Sequence, residues 1–240
     1  MNILVINDDG IRAPGLLPLV RAAKEFGEVR VVAPLHQCSG MSMKLTIHSP
    51  MEVAPVPDFP VEGVHAFSID GTPADCIKAA MWHCMPGKPD LVLSGINWGY
   101  NAGFDIAYSG TCGGAFIARM YDIPAMAFST RDGGDYSVAE AWLVPMIRDL
   151  LSRPLADGDV WNVNFPDCPL SELQGVLYDR PVARIQMYRD NYLIRALPNG
   201  NMELEEHGIL ISREECPPGT DIEAIMDNYI SVSAIHHCCY

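Results

Sequence analysis

Two adjacent carboxylates, Asp8 and Asp9, follow the short apolar run Ile3-Leu4-Val5-Ile6 and its Asn7, with Gly10 immediately after. The plain reading of Asp-Asp-Gly at this place is a turn that caps a helix. Neighbouring carboxylates beside a buried sheet edge repel each other unless a cation joins them, however, so the pair also reads as the charged half of a divalent-cation site. Two further segments offer the neutral half: Ser39-Gly40, and Ser94-Gly95-Ile96-Asn97 continuing through Asn101 to Tyr108-Ser109-Gly110-Thr111. Carboxylate, hydroxyl and amide oxygens are hard donors that suit Mg²⁺ or Mn²⁺ and suit zinc or copper poorly. Ser109 and Thr111 can cap the next helix, and a capped N-terminus beginning at Gly110 doubles as a phosphate site because its free N–H groups and dipole favour anions. Taken singly, Ser39 is an ordinary loop serine, Cys38 a small buried residue, and Asn97 and Asn101 are turn formers.

These segments can act together only if the fold brings them to one end of a sheet. Ile3 to Ile6 reads as a strand, and Leu16, Leu19, Val20 and Ala23 give a helical stripe that runs to Gly27. Val29 to Ala33 is the next strand, Pro34 to Lys44 an irregular loop, and Leu45 to His48, Met51 to Val56 and Val64 to Ile69 are strand-like. Thr72 caps a helix reaching about Met85, with Pro73 in its first turn and Asp75 completing a capping box. Asp90 to Leu93 reads as a strand, Ser94 to Gly110 as a long functional loop, and Thr111 to Tyr121 as a helix. Strands at Pro124 to Phe128 and Val160 to Val163 flank a helix through Ala139 to Leu151 that contains Pro145. Alternation of this kind predicts an α/β fold, a Rossmann-like and mostly parallel sheet with helices on both faces, whose ligand lies beyond the carboxyl ends of the strands. Extended pieces take over after about Pro166, at Gln174 to Leu177, Ala183 to Met187 and Tyr192 to Leu197, followed by a short helix at Asp221 to Met226 and a strand at Tyr229 to Ile235. We therefore read residues 1–166 as the core and 167–240 as an addition to the same unit, not a second core.

The chain has 240 residues, 49% hydrophobic and 19% charged, a balance that argues for a folded globule. Sixteen basic against thirty acidic residues give a net charge of −14. That excludes nucleic-acid polymers and anionic membranes as main partners, because both require excess Lys and Arg. The first residues lack the basic stretch of a secretory signal, and no apolar run spans a bilayer, so the expectation is a cytoplasmic protein with its eight cysteines reduced. His236, His237, Cys238 and Cys239 read as a frayed end before they read as a metal tail. Trp98, Phe104 and Tyr108 read as packing aromatics that could also stack on a base. Among rivals, a receiver domain would need Asp58 at a strand end, and its proline-flanked context is poor for that. A haloacid-dehalogenase-type phosphatase would need an acid where Gly10 stands. Neither G-x-G-x-x-G nor the Gly-Lys-Ser/Thr of a P-loop is present.

Together, Ile3 to Gly10, Ser39-Gly40, Gly71-Thr72-Pro73-Ala74-Asp75-Cys76, Ser94 to Asn97, Tyr108 to Thr111, Pro218-Gly219-Thr220-Asp221 and Tyr229-Ile230-Ser231-Val232 resemble the SurE family of metal-dependent nucleotidases over nearly the whole chain. The resemblance implies one divalent cation per subunit, Mg²⁺ or Mn²⁺, held by Asp8, Asp9, Ser39 and Asn97. It implies hydrolysis of nucleoside monophosphates, with 3′-nucleotides and polyphosphate as further substrates. Asp8, Asp9 and Asn97 would be catalytic, and Asn97, Asn101, Ser109, Gly110 and Thr111 would meet the phosphate. It also implies a hairpin arm within Pro181 to His207 that builds dimers or tetramers. The alternative is a receiver-like or non-catalytic nucleotide-binding module. His36-Gln37-Cys38 replaces arginines common in the family, and Gly113 and Gly114 are expected to loosen the helix start by about 1 kcal/mol each relative to alanine.

Overall fold

The computed structural model describes residues 1–236; His237, Cys238 and Cys239 of the terminal tract lie outside the described residues. The apolar run at the N-terminus forms β1 (Asn2–Ile6), and the helical stripe that follows forms α1 (Leu16–Ala23). Next come β2 (Glu28–Pro34), β3 (Val53–Pro55), β4 (His65–Ile69), α2 (Pro73–Ala79) with one π-helical turn over Ala80–Cys84, and β5 (Leu91–Trp98). The core continues with α3 (Gly110–Met120), β6 (Ala125–Thr130), α4 (Ser137–Ser152) and β7 (Asp159–Asn164). Beyond it lie β8 (Gly175–Leu177), β9 (Tyr188–Arg189), β10 (Tyr192–Ala196), β11 (Met202–Glu206), β12 (Ile209–Leu210), α5 (Asp221–Met226) and β13 (Tyr229–His236).

Nine strands form one sheet in the order β3-β4-β2-β1-β5-β6-β7-β13-β8. From β4 to β7 every pairing is parallel, whereas β3 on β4 and β13 on β7 are antiparallel. Both faces are covered, as a parallel sheet requires. Ile3, Val5, Val31, Leu93 and Phe128 face α1 and α4, while Leu4, Ile6, Val32, Val92 and Ala127 face α2 and α3. The chain leaves β1 toward β2 and β4 on one side and later returns to β5 on the other, so the sheet's topological switch point lies between β1 and β5. A crevice opens at such a point beyond the carboxyl ends of the two strands. Residues after 166 add β8 and β13 to this sheet and form the separate β10–β11 hairpin within the expected arm. No helix among the described residues is long and apolar enough to cross a membrane.

Three expectations need correction. Leu45 to His48 is not a strand, because the Thr46 amide and hydroxyl donate to the Asp75 carboxylate instead of to a neighbouring strand. Ser94 to Trp98 is strand, not loop: β5 continues along β6 after a register shift between Ser94 and Asn97. Ala183 to Met187 is not a strand but a bent segment with one isolated bridge, Gln186 to Gly103, since two of its amides are taken by the carboxylates of Asp221 and Asp105. Gly113 and Gly114 are a matter of clearance more than of looseness: a Cβ at Gly113 would lie 2.2 Å from the Ser42 carbonyl oxygen, and one at Gly114 2.5 Å from Ile6.

Candidate active site

The loop after β1 is set by Asn7, whose side chain accepts from the Gly10 amide at 3.2 Å and donates to the Gly10 carbonyl at 2.9 Å. That tight turn, with Gly10 at φ +103°, leaves Asp8 and Asp9 at its outer edge. The loop after β2 is tied to it where the Cys38 amide donates to the Asp8 carbonyl at 2.7 Å. At its far end the same loop is anchored by Thr72, whose hydroxyl donates to the Lys44 carbonyl, and by Asp75, which accepts from Thr46. Thr72 and Asp75 also make the expected capping box of α2, so one pair of residues begins the helix and pins the loop that carries Ser39. The third segment joins both others. The Trp98 amide donates to Asp9 Oδ2 at 2.9 Å, and the Ser42 amide donates to the Tyr108 carbonyl at 2.9 Å.

Asp8, Ser39, Asn97, Asn101 and Ser109 consequently line one cavity of about 810 Å³. Asp9 stands beside it, accepting from the Trp98 amide and, at 3.5 Å, from Gln37 Nε2. Gly110 and Thr111 lie behind Asp8. The helix end comes so near that a Cβ at Gly110 would be 2.8 Å from Asp8 Oδ2, and the Thr111 hydroxyl donates to Asp8 Oδ1. Ser109 caps α3, its hydroxyl accepting from the Cys112 amide at 3.0 Å.

The charges in this place are poorly compensated. Burial, and then the neighbouring charge of Asp9, push the Asp8 carboxyl up to about 7 despite the Thr111 hydrogen bond. Burial also raises Asp9. Two carboxylates under that strain fit a cation, as do the neutral groups around them. One hydrogen of the Asn97 side-chain amide is committed to the Gly99 carbonyl at 2.6 Å, which leaves its oxygen to face a cation and its second hydrogen to face an anion. Ser39 Oγ accepts from Gln37 Nε2 at 3.0 Å and keeps a lone pair. Gln37 thus bridges Ser39 and Asp9 in the loop where the family resemblance implies arginines.

The rest of the cavity escaped the sequence reading. Asp105, Asp132, Tyr188, Asp190, Tyr192 and Glu206 line it as well, and four of these come from the segment containing the arm. Trp98 and Tyr108 line it too and are about half exposed, whereas Phe104 does not reach it. The loop between β5 and α3 has no ladder of its own and is held by side chains and by one isolated bridge of Gly103 with Gln186. The amides of Tyr100 and Gly103 donate to the Tyr188 hydroxyl and Asp221, and that of Phe104 donates to the Ile185 carbonyl. Asp58, the residue a receiver domain would need, sits in an exposed turn and is paired with Arg12 at 2.8 Å.

Known proteins are similar to this chain over nearly its whole length. The model of the family described as Survival protein SurE matches residues 3–187. A 5′/3′-nucleotidase SurE of Cronobacter sakazakii is 38% identical over 236 residues, covering 98% of this chain and 90% of the relative. A 5′-nucleotidase SurE of Geobacter metallireducens is 36% identical over 243 residues, covering 98% and 91%. The crystal structure of the SurE protein from Aquifex aeolicus superposes with a TM-score of 0.81 at 32% identity, over 98% of this chain and 93% of that one. With three strand-end loops meeting at the switch point, and with likeness of this extent, the chain belongs to the SurE family.

Proposed function

We propose that this chain is a metal-dependent 5′-nucleotidase that hydrolyses the phosphate monoester of nucleoside monophosphates, with 3′-nucleotides and polyphosphate as further substrates of the same site. The observation that carries the reading is Asp8, a buried carboxylate wedged between Asp9 and the capped N-terminus of α3 at the wall of a cavity large enough for a nucleotide. The names of the relatives, 5′/3′-nucleotidase and 5′-nucleotidase, support it.

Asp8, Asp9, Ser39 and Asn97 would hold one divalent cation per subunit, Mg²⁺ or Mn²⁺. Such an ion, when bound, neutralises phosphoryl oxygens and lowers the pKa of a water molecule. The chain's own groups do the rest. Asn97, Asn101, Ser109 and the amides of Gly110 and Thr111 orient the phosphoryl group and steady the charge on its equatorial oxygens. Water attacks phosphorus in line and gives a proton to Asp8, the bond to the nucleoside oxygen breaks as that oxygen takes a proton from solvent, and Asp8 returns its proton to solvent, giving nucleoside and orthophosphate. The exposed aromatic edge of Trp98 and Tyr108 offers the base a face to stack on. In the same reading the enzyme is cytoplasmic, and its arm builds a homodimer or homotetramer.

Chain dialysed against chelator should release no phosphate from a nucleoside monophosphate until Mg²⁺ or Mn²⁺ is restored. Asp8→Asn and Asp9→Asn should each abolish turnover while leaving the circular-dichroism spectrum unchanged. Full activity in chelator would sink the proposal, and nucleotide binding without turnover in the metal-loaded parent would favour the non-catalytic alternative.

A further inference from the structure

The face of the sheet under α3 carries polar residues where a parallel sheet is ordinarily apolar. Ser129 on β6 and Asn164 on β7 are register neighbours, with Asn162 two residues earlier on the same face, and all three are buried. Opposite the asparagines on β13 stand Ser231 and Ser233, whose buried hydroxyls have no partner among the described residues. The two asparagines are therefore not spent on the neighbouring strand. They are spent on Asn101.

Asn164 Oδ1 accepts from the Asn101 amide at 2.9 Å, and Asn164 Nδ2 donates to the Asn101 carbonyl at 3.0 Å. A second donor, Asn162 Nδ2, reaches the same carbonyl at 2.8 Å. This pairing also fixes which way the Asn164 amide points, because the reverse orientation would set donor against donor and acceptor against acceptor. The Asn101 side chain is oriented in turn by Ser129, whose hydroxyl accepts from Asn101 Nδ2 at 2.8 Å. One of the two amide hydrogens of Asn101 is used in that contact, and the other remains for a ligand in the cavity that Asn101 lines.

We propose that Asn162 and Asn164 are positioning residues for phosphoryl transfer, holding the main chain of Asn101 so that its side-chain amide meets the phosphoryl group. The proposal rests on the nucleotidase reading above. Neither asparagine lines the cavity; both act through Asn101. An irregular loop over a sheet end must find partners for its backbone groups, and amide side chains on a rigid strand supply them at a fixed height where water would not. Misplacement of a contact residue by about 1 Å can cost a hundredfold in rate, which gives such a clamp its value.

The test is a double-mutant cycle on steady-state hydrolysis of a nucleoside monophosphate in saturating Mg²⁺ or Mn²⁺, with thermal melting recorded for each variant. Asn164→Ala should lower kcat about tenfold or more, per molecule still folded at the assay temperature. In the Asn101→Ala background the same change should cost less than about threefold, because the residue it positions is already gone. Ser231→Ala, in the same buried layer but without contact to Asn101, should keep parental kcat and KM. If Asn164→Ala does not fold, Asn162→Ser, which leaves the Asn164 pair intact, should lower kcat by a smaller factor and show the same non-additivity with Asn101→Ala. Additive losses, a parental kcat in the folded asparagine variant, or an equal loss in Ser231→Ala would overturn the clamp. A parent chain that releases no phosphate from any nucleotide would overturn the nucleotidase reading and the clamp with it.

Discussion

Thr111 is a residue whose role changes once its neighbours are seen. From its place at a helix start it reads as a phosphate ligand, but its hydroxyl is given to Asp8, and its main-chain amide is what remains for an anion. A hydrogen bond to a charged group contributes about 1.5–3 kcal/mol, and its loss leaves a buried carboxylate under-solvated. Thr111→Val should therefore reduce turnover about tenfold or more, whereas Thr111→Ser should stay within about threefold of the parent in a phosphate-release assay. Equal activity in the two variants would mean that the hydroxyl does not matter. Gly110 belongs to the same contact: a methyl group there would press on Asp8, so the glycine permits the helix end to come close.

Among the elements, the attachment of the arm segment to the site loop is sensitive to pH. Asp105 Oδ2 accepts from the amides of Met187 and Tyr188 at 3.0 Å each, joining the short 3₁₀ turn over Phe104–Ala107 to β9. Burial still pushes the Asp105 carboxyl up to about 6, with Asp190 and Asp221 adding repulsion. A carboxyl raised on folding lends stability that is full below its ordinary value of 3.8 and is lost as the pH climbs through about 6. Asp105→Asn keeps an acceptor for both amides and removes the charge. Its unfolding free energy should match the parent's near pH 4 and exceed it above pH 6, by roughly 1 kcal/mol after allowance for the solvent that reaches this half-buried group. A variant less stable than the parent at pH 8 would contradict this. The α2 cap is a second test: Thr72→Ala loses both the cap and the bond to Lys44, and should lower stability by about 1–2 kcal/mol in denaturant melts.

At the scale of the whole molecule the β10–β11 hairpin stands apart from the main sheet, with Leu193, Ile194, Met202 and Leu204 all more than half exposed. Cross-strand register puts Ile194 opposite Leu204 and Ala196 opposite Met202 on one face, while Leu193 and Arg195 meet Glu205 and Glu203 on the other. A two-stranded ribbon with one apolar face is marginal alone in water and gains from a second copy of the chain. Ile194→Asp with Leu204→Asp should convert the proposed dimer or tetramer into monomer by light scattering. An unchanged mass would remove the arm from assembly. Because Tyr192 and Glu206 of the same hairpin line the cavity, that variant should also raise KM for the nucleotide.

Local chemistry made much of this protein legible in one dimension. A β-branched run ended by Asn-Asp-Asp-Gly, the Thr72–Asp75 cap, and the short helix at Asp221–Met226 are decided by residues within a few positions of each other. Alternating strands and helices then place the Asp8, Ser39 and Asn97 loops at one sheet end. What the chain does with its buried polar groups could not be read that way. Asn162 and Asn164 stand at period two in a strand whose other buried residues are apolar, a sign that both need partners, yet the partner is 61 and 63 residues distant. Asp105 and Asp221 hold the segment from Ala183 to Tyr188 over 38 to 83 residues, and Asp75 takes Thr46 out of a strand from 29 residues away. A hydrogen-bond acceptor has the same local sequence whichever distant amide it meets, so only the folded chain decides the match.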